Sequence, residues 1–312
     1  MKAAQIKNYG GAEVVVIQDV ARPAVKAGHV VVKVQAAAVN PVDWKIRQGY
    51  LQQGMPLSLP ITLGSDISGV VVEVGEGVTN LQVGDEVYGM ASVWRGGSGA
   101  FAEFALADVT MVTKKPQGIG DAEAAALPMC GPRAWLVIVA LMNVLPGQKV
   151  LIHGGSGGLG TFAVQIAKQR GAYVATTVSS GAIEYAGKLG ADKVIDYTKE
   201  EFSQVLRDYD AVFDTVGGKT YADSFAVLRK DGVLVSMLEQ PNNELAEKYG
   251  VHILPSNAAI TSEAFAGINQ LVEQGAIKVH IAKAFPLAHT AEALAYQQTG
   301  HPRGKVVIAM TE

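Results

Sequence analysis

The sequence predicts an α/β fold in which a doubly wound parallel sheet follows a separate β-rich segment. Short strand patterns separated by glycine turns fill about the first 120 residues. Strand and helix patterns then alternate over residues 149–237, as expected for βαβ units. A glycine-rich turn joins the first strand of this alternation to the helix after it. The length of 312 residues is enough for two domains of ordinary size.

The β-rich segment contains several candidate strands bounded by glycines. Its last candidate alternates side chains as a half-buried strand does. Short strands separated by glycine turns predict a small barrel or sandwich. The candidate strands are residues 30–36, 69–75, 83–89 and 100–105.

Helical patterns begin with an acidic, capped start at residues 121–126 and an apolar helix at 128–143. The alternating part then predicts strands at 149–153, 173–178, 193–195, 211–215 and 232–237, with helices at 160–170, 183–189, 200–206 and 221–228. After it we expect helices at 264–274 and 290–298 and strands at 279–282 and 305–309.

The glycine-rich turn follows the apolar run of residues 150–153. Its glycines fit the pattern G-x-G-x-x-G, in which they allow a tight turn, close approach to a pyrophosphate, and close packing of helix on strand. The helix N-terminus points its free N–H groups at the phosphates. The pattern predicts a dinucleotide site of the Rossmann type at Gly155, Ser156, Gly157, Gly158, Leu159 and Gly160.

Composition and charge exclude several classes of function. Hydrophobic residues make up 49% and charged residues 18%, as in a soluble globular protein with a large core. The net charge of −3, without a basic cluster, gives nucleic-acid binding no electrostatic support. The longest apolar stretch, residues 134–142, is about half of what spans a bilayer. One cysteine and no signal-peptide profile predict a reducing, cytoplasmic location and no membrane span.

The residues after the second strand of the sheet bear on the choice of cofactor. In such sheets an acidic residue about 20 positions past the glycines binds the ribose 2′-hydroxyl of NAD. That position falls at Ser179, in a stretch without a carboxylate. The hydroxyls of Ser179 and Ser180 can donate to a 2′-phosphate, which favours NADPH. The nearest cation along this stretch, Lys188, lies on the following helix, so the phosphate lacks an evident positive partner.

Eight segments, taken in order, resemble one known family. Besides the glycine turn they are residues 37–47 with Asn-Pro-Val-Asp, 63–69, 83–87, 124–128, 189–197, 213–218 and 304–307. Together the segments cover essentially the whole chain. The chain resembles the zinc-independent quinone oxidoreductase branch of the medium-chain dehydrogenase/reductase superfamily.

The resemblance implies an architecture. Residues 1–122 and 267–312 would form a chaperonin-10-like β-barrel substrate domain and 123–266 the Rossmann domain, with the cofactor in the cleft between them and a homodimer formed through the Rossmann domain. It also implies further cofactor contacts at Tyr197, Thr215, Val216, Gly217, Val235, Ser236 and Lys305.

Zinc-dependent members of this superfamily bind catalytic zinc through cysteine and histidine. The positions that look equivalent here hold Asn40 and Ser65, which are poor zinc ligands. The six histidines lack ligand spacing, and one cysteine cannot form a four-cysteine site. We therefore expect no metal, and we interpret Cys130 and His153 as structural.

Without a metal to stabilise an alkoxide, reduction of an electrophilic acceptor is easier than oxidation of an alcohol. We expect hydride transfer from NADPH to a quinone or an α,β-unsaturated carbonyl, and the alternatives are an enoyl-thioester reductase and a non-enzymatic NADPH-binding protein. The acceptor would be chosen by loops at about 44–60, 90–98 and 240–262.

The candidate catalytic residues lie in the segment that lines the cleft in relatives, and each has a structural alternative. Asn40 donates to the substrate oxygen or the nicotinamide ribose, or it only holds the barrel loop. Tyr50 is a proton donor or a stacking ring, or only a wall. Asp43 and Lys45 pair with each other, orient Asn40, or are simply solvated.

Overall fold

The computed structural model describes residues 1–256, 258–299 and 302–310. The chain divides into two compact units. The β-rich unit comprises Met1–Met129 and Val279–Glu312, and the α/β unit comprises Cys130–Lys278. Labels below follow chain order.

The β-rich unit is dominated by strands. Its strands are β1 (Lys2–Ile6), β2 (Val16–Asp19), β3 (His29–Val39), β4 (Ile61–Thr62), β5 (Asp66–Val74), β6 (Glu86–Met90), β7 (Phe104–Asp108), β8 (Val112–Lys114), β15 (Ile281–Pro286) and β16 (Lys305–Ala309). Its helices are α1 (Pro41–Arg47), α2 (Asp121–Ala125) and α10 (Thr290–Gln298).

Strand β3 is the centre of the larger sheet of this unit. It pairs antiparallel with β16, β5 and β7, in a sheet whose order is β15-β16-β3-β5-β6-β8. A smaller sheet has the order β2-β1-β4. Val32, Ile67, Phe101 and Val306 are fully buried in one apolar cluster between these strands. The C-terminal strand β16 is therefore part of the same core as the N-terminal strands.

Most of the strands predicted for this unit are present. Residues 100–105 were predicted to form one strand, but of these residues only Phe104 and Ala105 lie in a strand. Ala100, Phe101 and Ala102 are all buried, so their side chains do not alternate between core and solvent. The N–H groups of Ala100 and Phe101 donate to the carbonyl of Leu63. The strand β7 begins only at Phe104.

The α/β unit alternates strands with helices. Its strands are β9 (Lys149–His153), β10 (Tyr173–Val178), β11 (Lys193–Asp196), β12 (Tyr209–Asp214), β13 (Leu228–Ser236) and β14 (His252–Leu254). Its helices are α3 (Gly131–Trp135, continued by a π-helical segment Leu136–Leu141), α4 (Gly158–Gln169), α5 (Ile183–Lys188), α6 (Phe202–Val205), α7 (Lys219–Ser224), α8 (Asn243–Tyr249) and α9 (Ser262–Glu273).

The sheet of this unit is doubly wound, as predicted. Its order is β11-β10-β9-β12-β13-β14, and each neighbouring pair is parallel. The order reverses between β9 and β12, which is where ligands bind in open parallel sheets. The glycine turn follows β9, so it lies at this point.

Residues 240–262, predicted as a loop, contain α8 and the edge strand β14. The Asn242 side chain caps α8 by accepting from the N–H of Leu245 at 3.0 Å. Gly250 ends the helix with a φ of +63°. Asn242 and Gly250 are the residues of the sequence that indicate this helix. The strand β14 completes a six-stranded sheet.

The units change at 129/130 and 278/279, whereas the sequence predicted domain boundaries at 122/123 and 266/267. Packing explains the differences. Helix α2 packs on β3 and β5 of the β-rich unit, and α9 packs on α3 of the α/β unit. Within the described ranges, no helix is long and apolar enough to cross a bilayer.

Candidate active site

The turn between β9 and α4 brings backbone very close to backbone. A Cβ on Gly155 would lie 2.0 Å from Thr176 Oγ1, and one on Gly160 would lie 2.2 Å from the Gly154 carbonyl oxygen. Both positions therefore need glycine for packing alone. A Cβ on Gly157 would meet only the Gly154 carbonyl, at 3.3 Å. Packing therefore disfavours a side chain at 157 much less than at 155 or 160, and a closely approaching ligand is a further reason for glycine at 157.

Helix α4 presents an uncapped N-terminus at this turn. Its N-cap is Gly157, no side chain caps it, and it runs for 12 residues. The first turn leaves backbone N–H groups unpaired within the helix, and the helix dipole adds partial positive charge. The six residues predicted at the phosphates, 155–160, form this turn. Their geometry fits a pyrophosphate group.

Residues predicted to contact the cofactor gather at the carboxyl ends of β12 and β13. Asp214 Oδ1 accepts from the N–H groups of Val216 and Gly217, each at 3.0 Å, and its Oδ2 accepts from the Ser236 hydroxyl at 2.7 Å. The Thr215 hydroxyl donates to the His153 carbonyl at 2.8 Å. These bonds tie the ends of β9, β12 and β13 together. Val235 is fully buried, between Phe213 of β12 and Leu254 of β14.

His153 lies buried behind the glycine turn in a directed chain of hydrogen bonds. The Ser224 hydroxyl donates to the Thr220 carbonyl and therefore accepts from His153 Nε2 at 3.0 Å. His153 Nδ1 then accepts from the Thr177 hydroxyl at 3.0 Å. Burial lowers the pKa of His153 to about 4. The ring is neutral and structural, which agrees with its interpretation from sequence.

The end of β10 has a neighbour that the sequence analysis missed. The Ser180 hydroxyl donates to Asp196 Oδ2 at 2.5 Å, so a carboxylate does lie beside the predicted phosphate-binding serines. Strand β11 runs parallel to β10 with Val178 opposite Asp196, and this register places the carboxylate there. Tyr197 follows it and is more than half exposed. The expectation that both serine hydroxyls are free to donate to a phosphate is wrong for Ser180.

A second polar cluster lies in the β-rich unit, at the junction of β3 and α1. The backbone N–H of Asn40 donates to Asp43 Oδ2 at 2.7 Å, and its side-chain Nδ2 donates to Asp66 Oδ2 at 2.9 Å. Lys305 Nζ donates to Asn40 Oδ1 and lies 3.6 Å from Asp66 Oδ2. All four side chains are buried. We call them the Asn40 cluster.

The sheet register builds the Asn40 cluster. Ala38 of β3 lies opposite Asp66 of β5, and Val39 lies opposite Val306 of β16. Asn40 follows β3 directly and therefore lies between the Asp66 carboxylate on one side and Lys305 on the other. Lys305, predicted as a cofactor contact, is bonded to Asn40 in this buried cluster.

Two carboxyl groups and one ammonium share the Asn40 cluster. Burial raises the pKa of Asp43 to about 7, opposed by the hydrogen bond from Asn40. Burial also raises the pKa of Asp66, opposed by Lys305 and Asn40. Asp43 Oδ1 and Asp66 Oδ1 have no hydrogen-bond partner among the residues that the structure describes. The cluster therefore holds a proton near neutral pH more readily than two exposed carboxylates would.

The other two candidate catalytic residues lie outside the Asn40 cluster. Tyr50 is 67% exposed, and its ring meets the ring of Trp44 edge-on at a centroid distance of 6.0 Å. Lys45 Nζ lies 5.7 Å from the centroid of the same Trp44 ring. Asp43 bonds the backbone of Asn40 instead of Lys45. Of the alternatives for Asp43 and Lys45, the structure supports only the orientation of Asn40 by Asp43.

Known proteins match both units. Residues 26–117 match the family described as "Alcohol dehydrogenase GroES-like domain", and residues 189–308 match the family described as "Zinc-binding dehydrogenase". A chloroplast envelope quinone oxidoreductase homolog from Arabidopsis thaliana is 33% identical, with 99% of this chain and 98% of that protein covered. The chain belongs to the medium-chain dehydrogenase/reductase superfamily, in its quinone oxidoreductase-like branch.

Other members of this branch are equally similar. An NADPH-dependent alkenal/one oxidoreductase of Arabidopsis thaliana chloroplasts is 34% identical, with 99% of this chain and 79% of that protein covered. The structure of the quinone oxidoreductase from Coxiella burnetii superposes with a TM-score of 0.91 at 31% identity, covering 99% of both chains. The quinone oxidoreductase-like fold is thereby confirmed, with a GroES-like domain before the parallel sheet.

The description "Zinc-binding dehydrogenase" does not fit the side chains of this quinone oxidoreductase-like chain. Within residues 1–256, 258–299 and 302–310, no three His, Cys, Asp or Glu side chains form a group that could hold a metal ion. Asn40 offers its amide oxygen to the Lys305 ammonium, which would repel a second cation. Ser65, the other position compared with a zinc ligand, is buried. No step below involves zinc.

Proposed function

We propose that this chain is an NADPH-dependent reductase that transfers hydride to a quinone or an α,β-unsaturated carbonyl. The observation that carries the proposal is the β9–α4 turn, in which packing crowds a Cβ severely at 155 and 160 but only mildly at 157. The uncapped helix α4 adds donors for a pyrophosphate. The choice of NADPH is supported by the relative named as an NADPH-dependent alkenal/one oxidoreductase.

The acceptor class is supported by chemistry and by the names of the relatives. The relatives above are named for quinones and for alkenals or alkenones. Such acceptors are electrophilic, so the protein needs only to orient them and to stabilise the charge that forms on their oxygen. A bound nicotinamide would supply the hydride.

The chain's own contribution to the chemistry is placed in the Asn40 cluster. Lys305 and Asp66 fix the orientation of the Asn40 amide, because the amide oxygen accepts from one and Nδ2 donates to the other. The second N–H of the amide is the group that we propose to donate to an acceptor oxygen or to the nicotinamide ribose. Asp43, with its pKa raised to about 7, can hold a proton nearby at neutral pH. Tyr50 and Lys45 are proposed only as part of the acceptor loop.

The test is oxidation of NADPH by purified protein with 1,4-benzoquinone, 9,10-phenanthrenequinone and a series of 2-alkenals. Turnover with any of them, with a KM for NADPH that Gly157→Ala raises, supports the proposal. Tight NADPH binding without turnover of any acceptor would instead support the non-enzymatic alternative. Turnover only with an enoyl thioester would move the assignment to that class.

We also propose a cytoplasmic homodimer. The dimer rests on the family resemblance alone, and the location rests on the single cysteine. Sedimentation of the purified protein tests the homodimer, and cell fractionation tests the cytoplasmic location. A monomer in solution or a membrane-bound fraction contradicts the respective proposal.

A further inference from the structure

A compact polar corner lies at the carboxyl ends of β10 and β11. Asp196 Oδ2 accepts from the Ser180 hydroxyl at 2.5 Å and lies 3.2 Å from Lys199 Nζ. Asp196 Oδ1 accepts from the Thr198 hydroxyl at 2.7 Å and from the Thr198 N–H at 3.1 Å. We call these four residues the Asp196 corner. The ammonium and the serine hydroxyl share one carboxylate oxygen, which brings Lys199 next to the stretch that contains Ser179.

The Lys199 ammonium is both held and accessible. The backbone N–H of Lys199 donates to the Asp196 carbonyl at 2.9 Å. This bond closes a turn that brings the Lys199 side chain back to the Asp196 carboxylate. The Lys199 side chain is 69% exposed, whereas that of Asp196 is only 7% exposed. An ammonium carries three donors, so a carboxylate on one side leaves others for a ligand on the solvent side.

Lys188, the cation considered from the sequence, is placed differently. It lies on α5 and pairs with Glu184 one turn away at 2.6 Å, and both side chains are largely exposed. Glu184 gives this pair a negative group that faces solvent, unlike the recessed Asp196. Lys188 is thus a matched control for Lys199: the same residue type, a similar exposure and a carboxylate partner.

The hydroxyls of the Asp196 corner are already in use as donors. Ser180 and Thr198 each give their proton to Asp196, so each presents lone pairs to a ligand. The Ser180 and Thr198 hydroxyls hold the pKa of Asp196 well below its usual range, so these bonds persist at any working pH. A phosphate needs donors, which lone pairs cannot supply. The charged donor at this corner is the Lys199 ammonium.

We propose that Lys199, held in place by Asp196, is the cation that binds the 2′-phosphate of NADPH and thereby sets the preference over NADH. The inference rests on the proposed function, because it assumes that the dinucleotide lies along the glycine turn. In sheets of this kind the adenosine ribose lies at the end of the second strand, which here is β10. The ammonium keeps Asp196 on its recessed side and still has donors on its exposed side for a phosphate dianion.

The test is titration calorimetry of wild type, Lys199→Gln and Lys188→Gln with NADPH and with NADH. For Lys199→Gln we expect the NADPH Kd to rise about 10-fold or more, as for loss of one charge-assisted hydrogen bond, while the NADH Kd changes by less than about twofold. Lys188→Gln should leave both values unchanged. Lys199→Arg should keep most of the preference, since it keeps the charge. Circular dichroism and Tm confirm that each variant is folded.

The outcomes separate this inference from the proposed function. If the wild type binds both dinucleotides and Lys199→Gln leaves the ratio of their Kd values unchanged, the Lys199 assignment is wrong and the reductase proposal stands. If the wild type binds NADH as tightly as NADPH, no 2′-phosphate is recognised and the assignment is equally overturned. If the wild type binds neither, both proposals fail. An equal effect of both lysine variants would mean that only general surface charge is being measured.

Discussion

Lys305 and Asn40, separated by 265 residues in sequence, are joined side chain to side chain in the interior of the β-rich unit. The bond exists because β16 pairs with β3, and it places one ammonium between an amide and the carboxylate of Asp66. Removing the charge would leave two buried carboxyl groups without a cation, which is costly in a low-dielectric environment.

We therefore expect Lys305→Met to destabilise the protein by about 3 kcal/mol at pH 8, as for breaking a buried ion pair. The loss should shrink towards pH 5, because the two carboxyl groups can then be neutralised by protons. Urea unfolding at both pH values measures this. Lys45→Met, at a partly exposed lysine of α1, is the control and should change stability by less than about 0.5 kcal/mol. A Lys305→Met protein as stable as the wild type at pH 8 would contradict the ion-pair interpretation.

Asp43 predicts a pH dependence of stability with a definite sign. Burial raises its pKa from 3.8 to about 7 in the folded state, so between these values the folded protein binds more protons than the unfolded chain. Stability from this group is therefore fully present below about pH 4 and is lost as the pH rises to about 7. Asp43→Asn should remove this dependence, worth on the order of a few kcal/mol across the window.

The measurement for Asp43 is the free energy of unfolding at pH 5 and at pH 8, in wild type and in Asp43→Asn, and the difference between the two pH values is compared. Other groups contribute to that difference in both proteins, so the quantity of interest is the change between wild type and Asp43→Asn. Asp121→Asn, at a partly exposed carboxylate of α2, is the control. An identical pH dependence in wild type and Asp43→Asn would show that Asp43 titrates normally.

The alternation of strands and helices and the glycine turn were predictable because their determinants are local. Alternating apolar runs and five glycines among residues 154–160 mark β9, the turn and α4 within a dozen residues of one another. The contacts that decide the chemistry are not local. Ser180 meets Asp196 only through the β10–β11 register, and Asn40 meets Lys305 only through the pairing of the last strand with β3. No spacing in the sequence encodes either register.

The omission of α8 and β14 from the predicted fold has a different cause. The cap residues Asn242 and Gly250 were readable, but the helix between them buries no residue completely. Apolar periodicity, the main signal for a helix, is therefore weak there. The strand β14 has only three residues and lies at the sheet edge, where burial imposes little pattern.

His153 makes the α/β unit sensitive to acid. Its folded-state pKa is lowered from 6.5 to about 4 by burial, so between these values the unfolded chain binds more protons. Stability from this group is present above about pH 6.5 and falls as the pH drops to about 4, by about 3 kcal/mol in total. The physical cause is burial, which disfavours the charged imidazolium, and protonation of Nδ1 would also remove the acceptor of the Thr177 hydroxyl.

We expect His153→Gln to be less stable than wild type at pH 7.5 but to lose less stability on acidification. The measurement is the free energy of urea unfolding from pH 7.5 to 5. His252→Gln is the control, because its side chain is largely exposed. A His153→Gln protein that loses stability as steeply as the wild type between pH 6.5 and 5 would assign the acid sensitivity to other groups.

The two glycines at 157 and 160 separate ligand binding from folding. A Cβ on Gly160 would meet the Gly154 carbonyl at 2.2 Å, so Gly160→Ala must shift α4 against β9 and should cost about 2 kcal/mol or more. A Cβ on Gly157 has one contact at 3.3 Å and an extended backbone with a φ of −77°, so Gly157→Ala should fold with nearly unchanged Tm. Its methyl group would instead occupy the space that a pyrophosphate needs.

For Gly157→Ala we therefore expect NADPH and NADH affinities to fall together by about 10-fold or more, since the pyrophosphate is common to both. This differs from Lys199→Gln, which should affect NADPH alone, so the two variants locate different parts of one ligand. Calorimetry gives the affinities and thermal unfolding gives the Tm. The Gly157→Ala protein could instead bind both dinucleotides as tightly as the wild type and be less stable. Gly157 would then serve only the packing of the turn, as Gly160 does, and the assignment of the phosphate site to the α4 N-terminus would be wrong.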